Sequence, residues 1–131
     1  MLQKVKAAQK YGTIRAILWH QGEQDSNPEA VKSYEQKLAA FFQRLRKDLH
    51  TPDTPILIGT LADFYIPANP EAATINQIIR QYVATKPNVY LVSATGLTDK
   101  GDAVHFDTPS ACELGRRYAQ ALLLTHKKST H

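Results

Sequence analysis

An α/β fold built on a parallel sheet is what this sequence predicts, and two observations predict it. Three short apolar runs rich in isoleucine, leucine and valine alternate with longer segments in which apolar residues recur every three or four positions. Near-continuous apolar runs suit strands covered on both faces, and their alternation with helical patterns implies parallel pairing through right-handed crossovers. The expected order is therefore α, β, α, β, α, β, α. With 131 residues and no linker-like stretch, the chain reads as a single domain, 1–131.

Taken in order, Leu2, Val5, Ala8 and Tyr11 recur at helical spacing, and Gly12 stands where a helix-ending glycine belongs. Thr13, Ile14, Ala16, Ile17, Leu18 and Trp19 form the first strand. His20, Gln21, Gly22, Glu23 and Asp25 follow at once, so polar groups collect just past its carboxyl end. In open α/β sheets that edge is where ligands bind. Asn27-Pro28-Glu29 then supplies a cap, a proline at the first helical position and an acid in the first turn. A long helix is expected from there to about His50, with Val31, Tyr34, Leu38, Phe41, Phe42, Leu45 and Leu49 on one face and Thr51-Pro52 closing it.

Pro55 to Ala62 is the second buried strand, with Asp63, Phe64 and Tyr65 in the loop beyond it. Asn69-Pro70-Glu71 repeats the capping device, and Ile75, Ile78, Ile79, Tyr82 and Val83 make the next apolar stripe. The recurrence of Asn-Pro-Glu-Ala is helix-start chemistry, since the flanking residues do not repeat. Val89 to Ala94 is the third strand, followed by a Gly- and Asp-rich loop from Thr95 to Asp107. Thr108-Pro109 is expected to cap the last helix, with Ala111, Leu114, Tyr118, Ala121 and Leu122 facing the core and a frayed polar tail from His126 to His131.

Composition narrows the function classes. The net charge of +4 comes from scattered basic residues rather than one block with interleaved aromatics, which reads as solvated helix faces and argues against nucleic acid as a partner. One cysteine, Cys112, allows neither an internal disulfide nor a cysteine zinc site, and its place in a helical pattern makes it a core or flanking residue. No apolar stretch is long enough for a membrane span, and Met1 to Lys10 lacks the apolar centre of a signal peptide. Neither a membrane partner nor a compartment is implied.

Trp19-His20-Gln21-Gly22-Glu23-Gln24-Asp25 resembles the WHQGExD signature of the SGNH-hydrolase carbohydrate esterases, the sialate O-acetylesterase and acetylxylan esterase group. Asp102-Ala103-Val104-His105, with the FDTPSACELGRRYA segment after it, resembles the DxxH block and terminal helix of the same family. The resemblance covers about Val5 to Leu124 and implies a three-layer, flavodoxin-like sheet of which these are the last three strands. It implies a serine hydrolase acting on acetylated carbohydrate without a cofactor, with His105 as base and Asp102 or Glu23 as the acid behind it. Gln21 and Gly22 fall where the family supplies donors to the oxyanion. The family's nucleophile block, a GxSN-like turn after the first strand, is not present in this sequence. On that reading the chain is a carboxyl-terminal half, nearly inactive alone, with an open edge on the first strand through which it could self-associate.

Other readings of the same residues stay open here. Asp102 and His105 could be a loop aspartate and a helix-capping histidine, Gln21 could satisfy loop backbone, and Glu23 could brace its turn. Trp19 and His20 are expected to pack beneath the site. Asp25 is a turn or cap residue, Ser26 a helix-entry residue, and Asp63 and Tyr65 are loop residues that could touch a sugar. A metal centre from His20, Glu23, Asp102 and His105 is the weaker alternative, because the Gly22 turn is not a rigid helix and no third histidine is placed by pattern. From a different class, the chain could be a complementing half or a sugar-binding remnant with no catalysis of its own.

Overall fold

A computed structural model describes residues 2–128. Helix α1 (Leu2–Ala8) leads to strand β1 (Ile17–Trp19), then a 3-10 turn (Val31–Ser33) runs into α2 (Tyr34–Leu49). Strand β2 (Ile56–Gly59), a second 3-10 turn (Asp63–Tyr65), α3 (Glu71–Thr85), β3 (Val89–Val92) and α4 (Thr108–Lys128) follow. The three strands form one parallel sheet in the order β1-β2-β3, with Ile17 beside Ile56 and Ile56 beside Val89.

Strand alternation sorts the core into two halves. Ile56 and Ile58 of β2 point into one, where they are fully buried against Phe42 and Leu45 of α2 and Ile75 and Ile79 of α3. Leu57 points into the other, with Val92, Ala94, Leu114 and Tyr118 of β3, its exit loop and α4. The sheet thus lies between α2 and α3 on one face and α4 on the other, the predicted three-layer arrangement. The central strand is buried at every position.

The first strand departs from expectation. It is three residues long and Leu18 is 57% exposed, while the strand's open edge is as the resemblance implied, since among the described residues it pairs only with β2. Cover on both faces is not realised there because α4 packs on β2 and β3. Helix α1 is also slighter than its spacing suggests: it buries no residue, Ala8 and Tyr11 lie in solvent, and Gly12 does not take a left-handed conformation.

Helix ends differ from the sequence reading for local reasons. Asn27 does act as a cap, its Oδ1 accepting the Glu29 and Ala30 N–H groups at 3.3 and 3.0 Å, but a turn and a 3-10 segment precede the α-helix. Asn69 does not cap α3; its Nδ2 donates back to the Tyr65 carbonyl at 3.2 Å. The cap of α4 is Asp107 rather than Thr108, with Oδ1 accepting the Ser110 N–H at 2.7 Å. Helix α2 ends on left-handed His50, and Thr51 N–H reaches back to the Arg46 carbonyl at 3.0 Å. Ala111 and Cys112 are exposed, outside the α4 stripe that buries Leu114 and Tyr118. Of the expected frayed tail, the helix continues to Lys128 and residues 129–131 lie outside the described residues. No helix among the described residues is long and apolar enough to cross a membrane.

Candidate active site

The polar turn after β1 is held from beneath by three hydroxyls on three successive carbonyls. Tyr34 Oη donates to Gln21 O at 3.1 Å, Ser26 Oγ to Gly22 O at 2.9 Å, and Tyr65 Oη to Glu23 O at 3.1 Å. Satisfying each carbonyl locally fixes the peptide planes of the turn. Burial, with Asp25 and Glu23 nearby, pushes the Tyr34 phenol up to about 12, so it stays a donor. Gly22 is required: its φ is +151°, and a Cβ there would sit 3.0 Å from Ile75 Cγ2.

Within this turn the Gln21 amide donates to Asp25 Oδ2 at 2.9 Å, which sets the direction in which the amide points. Asp25 is therefore a partner of Gln21 rather than only a turn residue, and Ser26 is a buried brace rather than a helix entry. Glu23 sends its carboxylate to His20, 3.8 Å from Nε2, instead of collecting backbone N–H groups. Burial lowers the His20 imidazole from its ordinary value, opposed in part by Glu23.

The second motif is built as one loop. Asp102 Oδ2 lies 2.7 Å from His105 Nδ1, while Oδ1 accepts the Val104 and His105 N–H groups at 3.0 and 2.8 Å. Lys100 Nζ adds a contact at 3.3 Å. The His105 backbone and ring, aided by Val104 and Lys100, hold the Asp102 carboxyl well below the usual carboxylate range. An ionised carboxylate can only accept, so Nδ1 carries a proton, and in the neutral ring the lone pair is then on Nε2. His105 is not the helix cap, since Asp107 fills that place.

The loop's root is anchored on both sides. Arg117 of α4, paired with Glu113 at 3.0 Å, donates through Nη1 to the Ser93 and Thr95 carbonyls at 2.8 and 2.9 Å. Asp63 accepts the Gly96 N–H at 3.1 Å. Thr98 and Ser110 close the loop's base on Asp107, and the Asp63 bond ties its root to the loop beyond β2.

Phe106 brings the two motifs together. Its ring meets His20 edge-on at 5.6 Å and Phe64 at 5.3 Å, which sets the residue after His105 against the ends of β1 and β2. Both motifs thus lie at the carboxyl edge of the sheet. Of the two candidate acids, Asp102 contacts His105, whereas Glu23 contacts His20. Trp19 packs on Phe41 and Phe42, and its carbonyl accepts the Tyr118 hydroxyl at 2.7 Å, tying α4 to the end of β1. Among the described residues no group of three or more His, Cys, Asp and Glu side chains is placed to hold a metal ion. The His105 side chain is 67% exposed, so the site is an open surface. A cavity of about 700 Å³ lies at the opposite end, between Phe42, Arg46 and His50 on one side and Tyr82 and Lys86 on the other.

Residues 1–124 match the model of the family described as carbohydrate esterase, sialic acid-specific acetylesterase. The chain belongs to this family. A protein of Arabidopsis thaliana named a probable carbohydrate esterase is 31% identical over 126 residues, covering 94% of this chain and 46% of that protein. The crystal structure of an Arabidopsis thaliana protein superposes with a TM-score of 0.83 at 28% identity, covering 93% of this chain and 50% of the other. The crystal structure of NanS shares the fold, with a TM-score of 0.76 at 20% identity over 97% of this chain and 52% of the other. The chain spans about half the length of the relatives it matches. The bracing roles of Tyr34, Tyr65, Phe106 and Tyr118 are not part of the sequence reading, which names Tyr65 only as a loop residue that could touch a sugar. The first, second and last pack as core aromatics and act through their hydroxyls, and Phe106 carries no polar signal at all.

Proposed function

We propose that this chain carries the base half of a carbohydrate O-acetylesterase site, with a serine nucleophile supplied by a segment outside its sequence. The observation that carries the reading is the contact of 2.7 Å between Asp102 Oδ2 and His105 Nδ1, on the same sheet edge as the His20 to Glu23 turn. Asp102 orients the imidazole, and Nε2 takes the serine proton as the hydroxyl attacks the acetyl carbonyl. The second N–H of the Gln21 amide and the Gly22 N–H are the oxyanion donors, where they stabilise charge that develops only in the transition state. Glu23 supports His20 and, through Phe106, the placement of the loop. The family supports an acetylated sugar as substrate; a neutral xylan-type sugar or a sialic acid would both present the required ester.

The serines support an external nucleophile. Ser26, Ser33 and Ser110 spend their hydroxyls on local partners, Ser93 accepts the Thr95 N–H, and none of these four bonds His105. The same observation favours the second reading, a complementing or sugar-binding half with no catalysis of its own.

Hydrolysis of an aryl acetate and of an O-acetylated sugar decides between them. The chain alone should stay near background, and the chain joined to an upstream segment bearing a strand and a GxSN-like turn should hydrolyse both esters. That activity should vanish in His105→Ala and survive a chelator. Activity retained in His105→Ala, or abolished by the chelator, contradicts the serine mechanism; no activity in the joined domain leaves the non-catalytic reading.

A further inference from the structure

Lys100 and His105 face each other across a closed loop. The Lys100 N–H donates to the His105 carbonyl at 3.0 Å, and Asp99 bridges Phe106 in antiparallel fashion one step further out. Left-handed Gly101 and Ala103, with φ of +103° and +56°, reverse the chain between these arms and put Asp102 at the tip. Asp102 Oδ2 therefore receives a donor from each arm, His105 Nδ1 at 2.7 Å and Lys100 Nζ at 3.3 Å. Because the loop's own backbone pairing sets Lys100 opposite His105, the shared oxygen is a built feature of this loop.

We infer that Lys100 is a positioning residue that shares the orienting carboxylate with His105 and so limits how tightly the imidazole holds a second proton. The cause is electrostatic: two cations that contact one carboxylate oxygen lie close enough to repel each other, even in a solvated loop. Other charged groups around the pair have partners elsewhere. Asp99 accepts the Ala103 N–H, Asp107 is turned to Thr98 and Ser110, Asp63 is bonded to Gly96, and Glu23 faces His20 beyond Phe106. Lys100 is thus the one Lys or Arg cation in contact with the dyad among the described residues. This rests on the esterase reading only for its consequence, a displaced acid limb of the pH–rate profile in the completed enzyme.

The test uses the chain as it is. The His105 ring resonances, identified by their loss in His105→Gln, are followed by NMR through the neutral pH range, with the Val104 amide reporting the loop. In Lys100→Met the pH of half-titration should rise by about half a pH unit at low salt, and the rise should shrink as salt screens the pair. Lys100→Arg, which keeps a cation, should leave it at or below the wild-type value. A midpoint in Lys100→Met that is unchanged or lower overturns the inference, as does an arginine variant that behaves like methionine. A shift seen in a chain whose joined domain proves inactive upholds the inference and removes only the catalytic proposal.

Discussion

The proton on the His105 ring sits where Asp102 dictates. With Oδ2 accepting at Nδ1, nitrogen NMR should show the Nδ1–H tautomer in the chain as it stands, and Asp102→Asn should mix or reverse it. In the joined domain the same change should lower kcat by about ten-thousandfold, the cost of a base held in the wrong tautomer. A second residue-scale prediction concerns His20. Its folded-state value lies below that of the unfolded chain, so the unfolded state binds more protons as pH falls below the ordinary 6.5. The stability that neutral His20 contributes is therefore complete above that value and is lost as pH falls from it through the lowered folded-state value. The denaturation midpoint should drop from neutral to mildly acidic pH and drop less in His20→Gln; equal slopes would contradict the assignment. At this scale the HQGE and DxxH residues were legible because their order and spacing are chemical. The choice between Asp102 and Glu23 was not, because it depends on which carboxylate the folded loop brings to Nδ1.

Strand β2 and its exit hold the site by contacts that tolerate little change. A Cβ on Gly59 would clash with His20 Nδ1 and the Tyr118 hydroxyl. Gly59→Ala should cost about 1–3 kcal/mol in chemical denaturation, the range for overpacking, and should disturb His20 and α4 together. Beyond the strand, buried Asn76 of α3 accepts the Leu61 N–H at 2.7 Å and donates to the Leu61 carbonyl at 3.0 Å. Asn76→Ala strands both backbone groups and should lower stability by about 2–4 kcal/mol, whereas a loss below 1 kcal/mol would show that water or a shift replaces the amide. The alternation of elements could be read from apolar periodicity, since burial of whole faces sets it. Their ends could not: whether Asn69 caps α3 or turns back to Tyr65 four residues earlier, and whether Thr108 or Asp107 caps α4, is settled by the local backbone path, which the dipeptide signal leaves open. The short β1 was also out of reach, because an apolar run does not say how much of itself finds a neighbour.

Seen whole, the molecule is a three-layer α/β unit with an open edge on one side of its sheet. β1 is an edge strand, Leu18 is exposed on the face beyond α4, and Leu123 and Leu124 of α4 are exposed as well. On the proposed reading, a strand bearing the nucleophile pairs with β1 and its helix covers Leu18, which would complete the sheet and the site in one step. Until then an open parallel edge beside apolar side chains invites pairing with another copy, and uncovered apolar area forfeits about 25 cal/mol per Å². Sedimentation velocity combined with thermal unfolding of the isolated chain tests this most directly, because a sheet stable by itself would have no need of the proposed serine-bearing strand. The account predicts association that grows with concentration, or a broad and weakly cooperative melt, and conversion to a sharply melting species when the nucleophile segment is joined. A dilute, monomeric chain that melts cooperatively by itself would contradict it.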